Sequence, residues 1–171
     1  QQALIRAAEQ IAAPRRLQPA LETWLEGPVP LIDSDDPRHL VEVLSALSAQ
    51  TNAVVLASGD PLWFGIGRIL AERLGPERLR FHPAPTCLQL AFARIGRPWQ
   101  DARWVSLHGR DPEPLARELQ TRPRALAVLT DPGRGGADTV RRCLRSSGLE
   151  ASYQLWLGEN LGRDDERMRL I

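Results

Sequence analysis

The 171-residue chain predicts an α/β fold with mainly parallel strands. Short apolar runs alternate with helix-period segments along its length. The runs at 52–57 and 124–130 read as buried strands. Loops at 58–61, 83–86, 108–111 and 131–136, rich in glycine, proline and aspartate, each directly follow a predicted strand. If the strands are parallel, such loops share one edge of their sheets, where open α/β folds bind ligands.

In order, residues 1–13 read as a helix ended by Pro14, with a short second helix over 15–25 weakened by Pro19. A strand is predicted over 29–32. Asp35 or Asp36 then caps a helix that has Pro37 at its first position and continues to about 50. The strand at 52–57 leads through a glycine loop to a helix starting near Phe64 and closed by Gly75-Pro76. A strand at 79–82 runs into His82-Pro83-Ala84-Pro85-Thr86, a stiff connector that sets a boundary between an N-terminal lobe, 1–83, and a C-terminal lobe, 84–171. Thr86 caps a helix to about 95. Strand 104–107, helix 113–120, strand 124–130 and helix 137–147, stopped by Gly148, follow, and strands at 152–157 and 166–171 end the chain.

Composition narrows the chemistry. All 22 basic side chains are arginine, which excludes a Schiff-base lysine, a lysine general base and a P-loop lysine. A net charge of +1 gives no reason to invoke nucleic acid or an acidic membrane surface. No apolar segment is long enough to span a bilayer and no signal-peptide layout opens the chain, so the expected compartment is the cytoplasm. Cys87 and Cys143 lie too far apart in sequence to suggest a disulfide framework or a zinc site, and no metal is expected.

The most informative stretch is Ala57-Ser58-Gly59-Asp60-Pro61-Leu62-Trp63-Phe64-Gly65-Ile66-Gly67. Small residues at a strand's carboxyl end admit a ligand to the backbone, and Asp60 adds one anionic acceptor, although Gly-Asp-Pro is also a common turn composition. The glycines do not fit the Gly-x-Gly-x-x-Gly spacing of a dinucleotide fingerprint. His108 reads either as a proton acceptor near neutral pH or as a residue bonded within its own loop.

The segment Val-Val-Leu-Ala-Ser-Gly-Asp-Pro-Leu-Trp-Phe-Gly-Ile-Gly-Arg at 54–68 resembles the glycine-aspartate-proline segment of the S-adenosylmethionine-dependent tetrapyrrole methylases. Val-Ser-Leu-His-Gly-Arg at 105–110 and Glu-Asn-Leu-Gly-Arg-Asp-Asp-Glu-Arg at 159–167 are similar to the precorrin-6Y C(5),C(15)-methyltransferase family of cobalamin biosynthesis, in its CbiE-like part. The resemblance implies two α/β lobes with the methyl donor between them and a homodimer. It implies donor contacts from Ser58, Gly59, Asp60, Trp63, Thr86, Cys87, Leu129 and Thr130, with residues 158–161 closing the site. The resemblance implies an opening strand and glycine-rich loop, which are expected to be missing ahead of Gln1, and further strands are expected beyond Ile171, as is a fused or partner decarboxylating methyltransferase domain.

Methyl transfer from a sulfonium to a ring carbon needs alignment more than covalent catalysis. Asp60 and His108 are the candidate catalytic groups for moving a proton. Arg68, Arg110 and Arg134, in or beside the loops, are candidates for binding the carboxylates of a tetrapyrrole substrate. The competing expectations are another tetrapyrrole methylase-like enzyme, or a non-catalytic nucleotide- or tetrapyrrole-binding domain.

Overall fold

Ile11 and Ala13 turn to one side of a strand and Ala12 to the other, and all three are buried, so this short run holds the centre of a sheet. The computed structural model describes residues 2–21, 23–25 and 27–171. It divides into two compact units, Gln1–Ala84 and Pro85–Ile171.

In the first unit, β1 (Gln10–Ala13) pairs in parallel with β2 (Leu31–Asp33) on one side and β3 (Ala53–Val55) on the other. Ile11 and Ala13 pack with Ile5 of α1 (Gln2–Arg6), Ala8 and Leu21 of α2 (Gln18–Leu21). Ala12 packs on the opposite face with Ile32, Leu40 and Leu44 of α3 (Pro37–Ala46) and Leu70 of α4 (Gly67–Leu74). Apolar layers on both faces make the sheet the middle of three layers. Asp36 starts α3 as expected: its side chain accepts from the amides of Arg38 and His39, and Pro37 sits where no amide partner is needed.

In the second unit, α5 (Cys87–Arg94) begins at a reciprocal cap. The Thr86 hydroxyl accepts from the Gln89 amide at 3.2 Å, and the Gln89 side chain accepts from the Thr86 amide at 2.8 Å. β4 (Ala102–Ser106) pairs in parallel with β5 (Ala125–Leu129), with α6 (Glu113–Gln120) between them in sequence. Leu115 and Leu119 of α6, Val140 and Leu144 of α7 (Gly136–Ser146), and Val105, Leu107 and Leu149 form one buried cluster. Phe92 of α5 meets Trp104 edge to face at 5.8 Å. β6 (Trp156–Glu159) and β7 (Arg167–Leu170) form a separate antiparallel pair.

The α/β class with mainly parallel pairing is as the sequence predicts, and several elements differ. Residues 10–13 are a strand, not the end of a helix. Their alanines favour helix by propensity, and a central strand buried on both faces shows no polar alternation to reveal it. The helix predicted over 15–25 reduces to a 3-10 turn, Arg15–Leu17, and the short α2, and its residue 22 lies outside the described residues. Residues 79–82 join no ladder among the described strands, although Leu79 is extended and packs on the first unit's core. The predicted buried strand at 52–57 is β3, half-buried at a sheet edge. The helix expected near Phe64 begins only at Gly67, because Phe64 takes a left-handed φ of 52° that no helix tolerates. The strand predicted over 152–157 starts later: Glu150–Ser152 is a 3-10 turn and β6 follows.

Candidate functional site

At the carboxyl edge of the first unit's sheet, β3 runs into the loop carrying Ser58, Gly59 and Asp60. Gly59 adopts φ 68°, and its carbonyl accepts from the Ala84 amide at 3.2 Å, so the loop is tied to the proline connector. Asp60 Oδ1 accepts from the Leu62 amide at 2.9 Å, and the Asp60 carbonyl accepts from the Trp63 amide at 3.1 Å. Asp60 is therefore an Asx-turn residue, and its second carboxylate oxygen remains as an acceptor for a ligand donor. Trp63 lies edge to face with Phe64 at 4.7 Å. Leu62 and Phe64 are exposed, so the loop presents an apolar ridge beside an anionic turn.

The sequence reading missed the cation at this edge. Arg16 Nη1 donates to Ser58 Oγ at 2.7 Å. Arg16 follows β1, and reading β1 as helix hid the fact that residues 14–16 and 58–60 leave neighbouring parallel strands at the same end. Arg68 points along α4, where Nη1 pairs with Glu72 Oε1 at 2.8 Å, an exposed helix-face pair.

In the second unit, the parallel register of β4 and β5 brings the loops at 108–111 and 131–136 together. Asp131 joins them: Oδ2 accepts from the Gly109 amide and Oδ1 from the Gly133 amide, each at 3.0 Å. The Gly109 amide is the main cause that holds the Asp131 carboxyl below the usual aspartate range. Gly133, His108 and Arg134 act in the same direction, and desolvation opposes them. His108 Nδ1 lies 4.0 Å from Asp131 Oδ2 with its ring largely in solvent. No sequence motif singled out Asp131; the signal was its place directly after a strand and before a glycine pair.

A depressed folded-state carboxyl stabilises the protein above the ordinary aspartate value of 3.8, and that contribution is lost as pH falls through the folded-state value. Asp131→Asn is therefore expected to be less stable than wild type at pH 7, with the gap closing in acid below 3.8. Urea midpoints at both ends of that range check it, and a gap constant with pH would remove the charge from the account.

Leu129 ends β5 and Thr130 follows it, beside these loops. Thr86 is buried in its capping box, so its hydroxyl serves the helix. Cys87 is exposed at the start of α5, with its thiol pushed up chiefly by desolvation, so it is a neutral thiol. Arg110, Arg134 and Arg142 line a cavity of about 260 Å³ with Asp111, Asp131 and Thr139. Arg142 was absent from the sequence-predicted set. Asn160 takes φ 53° between β6 and β7, and its amide nitrogen donates to Asp165 Oδ2 at 2.8 Å. Glu166 accepts from the Gly162 amide and pairs with Arg94, fixing that turn against α5. Asp60 and Ser58 belong to the first unit; His108, Thr86, Leu129, Thr130, Arg110 and Arg134 belong to the second.

The family model described as Tetrapyrrole (Corrin/Porphyrin) Methylases matches residues 2–170. The chain belongs to the tetrapyrrole methylase family. Members of this family take the methyl group from S-adenosylmethionine. The chain is 40% identical over 131 residues to a decarboxylating precorrin-6Y C(5,15)-methyltransferase of Sinorhizobium, covering 77% of this chain and 30% of that protein. It is 36% identical over 118 residues to a cobalt-precorrin-7 C(5)-methyltransferase of Salmonella typhimurium, covering 69% of this chain and 56% of the relative. The chain thus spans less than two-thirds of the length of these curated relatives. Among solved structures, the methyltransferase CobJ superposes with a TM-score of 0.73 at 20% identity, covering 99% of this chain and 77% of that one. The precorrin-6Y methylase CbiE of Archaeoglobus fulgidus superposes at 0.62 and 21% identity, covering 98% and 78%.

The loop chemistry fits such a donor. A sulfonium amino acid with a ribose presents cationic and hydroxyl donors, and the turn at 58–60 presents backbone carbonyls and a carboxylate with unused lone pairs. No helix among the described residues is long and apolar enough to cross a membrane.

Proposed function

We propose that this chain methylates a ring-bridging carbon of a corrin precursor, of the precorrin-6Y or precorrin-7 type at C(5), with S-adenosylmethionine as methyl donor, in cobalamin biosynthesis. The observation that carries the reading is family membership over residues 2–170, joined to an Asx-turn loop at the carboxyl edge of a parallel sheet. The names of the relatives from Sinorhizobium and Salmonella supply the substrate type. Donor contacts are assigned to Ser58, Gly59, Asp60, Trp63, Thr86, Cys87, Leu129 and Thr130, with residues 1–83 and 84–171 acting as two lobes. Thr86 keeps this assignment although its hydroxyl caps α5 and its carbonyl accepts from the Leu90 amide.

The bound donor supplies an electrophilic methyl group. The protein's part is to hold ring carbon and methyl in line, which accounts for about 7–11 kcal/mol of barrier in well-oriented reactions. Asp60 and His108 are the groups assigned to proton movement, and Arg68, Arg110 and Arg134 to substrate carboxylates. The protein is further proposed to work as a cytoplasmic homodimer, with a decarboxylating methyltransferase domain fused or in partnership; the 30% coverage of the Sinorhizobium relative leaves length for such a domain.

Asp60→Asn tests the donor site, because an amide oxygen still accepts from the Leu62 amide and preserves the turn. An unchanged melting temperature and about tenfold weaker binding of S-adenosylhomocysteine by calorimetry are expected, the size of one charge-assisted hydrogen bond. Unaltered affinity would reduce Asp60 to its turn. If the wild-type chain bound no S-adenosylhomocysteine at millimolar concentration, a non-catalytic tetrapyrrole-binding domain would replace the enzyme reading.

A further inference from the structure

A hydrogen bond bridges two loops that leave the first unit's sheet in opposite directions. β1 and β3 are parallel neighbours. After β1 the chain turns to the face where Leu21 of α2 packs with Ile11 and Ala13. After β3 it turns to the other face, where Leu70 of α4 packs with Ala12. Neighbouring parallel strands whose following segments part in this way leave a gap at their carboxyl ends, and open α/β sheets bind ligands there. Arg16 stands on one side of the gap and Ser58 on the other, and Arg16 Nη1 donates to Ser58 Oγ across it at 2.7 Å.

The turn that carries Arg16 is held in place. Pro14 is buried, and its carbonyl accepts from the Leu17 amide at 2.8 Å. The two arginines of the turn go to different neighbours. Arg15 Nε donates to Asp33 Oδ2 at 2.6 Å and its amide donates to Asp35 Oδ2 at 3.2 Å, which ties the turn to the segment after β2. Arg16 goes to the loop after β3, and its partner there is a neutral hydroxyl.

The direction of hydrogen bonding is fixed at that hydroxyl. A guanidinium has no acceptor, so Ser58 Oγ accepts, and its own hydrogen is what remains to donate. That hydrogen has no protein acceptor among the described residues, and Ser58 is exposed. A cation bonded to the oxygen polarises the O–H and strengthens it as a donor, most of all toward an anion. Asp60, in the same loop, has the opposite polarity: one oxygen accepts from the Leu62 amide and the other is an acceptor for a ligand. A cation-backed donor at one end of the turn and a carboxylate at the other complement an amino-acid zwitterion.

We infer that Arg16 is a positioning residue of the donor site, holding the Ser58 hydroxyl as a hydrogen-bond donor to the carboxylate at the amino-acid end of the methyl donor. The inference rests on the reading of the loop at 58–60 as a site for S-adenosylmethionine, and it adds a residue outside the contacts assigned to that site. Arg16 acts through Ser58 and moves no proton.

The test uses the whole chain and its Arg16→Met, Ser58→Ala and Arg16→Met/Ser58→Ala variants. Calorimetry follows S-adenosylhomocysteine and 5′-methylthioadenosine, which keeps the nucleoside and lacks the amino-acid end. Both positions are exposed, so melting temperatures are expected to stay within about 2 °C of wild type. Arg16→Met is expected to weaken binding of S-adenosylhomocysteine about fivefold and Ser58→Ala about tenfold, the range of one hydrogen bond. The double variant should bind like Ser58→Ala alone, because Arg16 then has nothing left to position. Binding of 5′-methylthioadenosine should be unchanged throughout. Full affinity of Arg16→Met for S-adenosylhomocysteine would overturn the inference. Equal weakening of both ligands would overturn it by placing the hydroxyl at the nucleoside. A further fivefold loss on adding Arg16→Met to Ser58→Ala would overturn it by making Arg16 a direct contact. Wild type that binds neither ligand would remove the methylase reading and the inference with it, whereas the other three results remove the inference alone.

Discussion

Truncating Leu115 to alanine is expected to lower the unfolding free energy by about 2–5 kcal/mol, the range for emptying a fully buried leucine site. Leu115 is 0% exposed and is packed in one cluster with Val105, Leu107, Leu119, Val140, Leu144 and Leu149. Those neighbours are held by the β4–β5 ladder and α7, so the space vacated by the side chain cannot be refilled by a small shift. The same cluster lies beneath the loops that Asp131 joins, since Leu107 directly precedes His108 and its amide donates to the Leu129 carbonyl at 2.8 Å. Urea unfolding followed by tryptophan fluorescence measures the loss. A change under 1 kcal/mol would mean that the cluster collapses around the truncation more freely than close packing allows.

That core was readable in the sequence because α6 and α7 are amphipathic and β5 is an unbroken apolar run, Ala-Leu-Ala-Val-Leu. The boundaries of α6 at 113 and 120 were legible for the same reason, with Pro112 before the helix. β1 was not. Four residues of mixed helix and strand preference carry no period of their own, and the sheet decides their state by pairing them on both sides. That single misreading also concealed Arg16 at the Ser58 loop.

The candidate site was legible where its residues stand next to strands in sequence and illegible where they meet across loops. Ser58, Gly59 and Asp60 announce themselves by composition. Asp131 matters through Gly109, 22 positions away, and no spacing rule reaches that far. Arg142 carries no motif of its own; its fold-back toward Gly135 depends on a Thr139 partner three positions earlier and on a glycine with no Cβ to obstruct it.

The glycines of the 58–67 loop carry a different lesson, and Gly67→Ala is where it is tested. Gly67 is buried at the start of α4, and its amide donates to the Pro61 carbonyl at 2.8 Å. A Cβ there would stand 2.6 Å from the Pro61 carbonyl oxygen and 2.9 Å from a ring carbon of Phe81. Gly65 meets the same carbonyl at 2.6 Å. These glycines therefore close the chain over Pro61; they do not open the backbone to a ligand, which is the role their composition suggested. By helix propensity alone, alanine would be favoured over glycine at position 67 by about 1 kcal/mol. The contact is with backbone, which cannot rotate away, so the clash prevails and a net loss of about 1–3 kcal/mol is expected. Gly27→Ala, with nothing among the described residues within 4 Å of its Cβ and no left-handed φ, is the control and is expected to be neutral or slightly stabilising. Relief of the clash must move Pro61, and Pro61 is bonded to Asp60. Gly67→Ala is thus expected to weaken S-adenosylhomocysteine binding although residue 67 has no assigned contact with the donor. Lower stability with full affinity would show that the turn at Asp60 is positioned independently of the helix behind it.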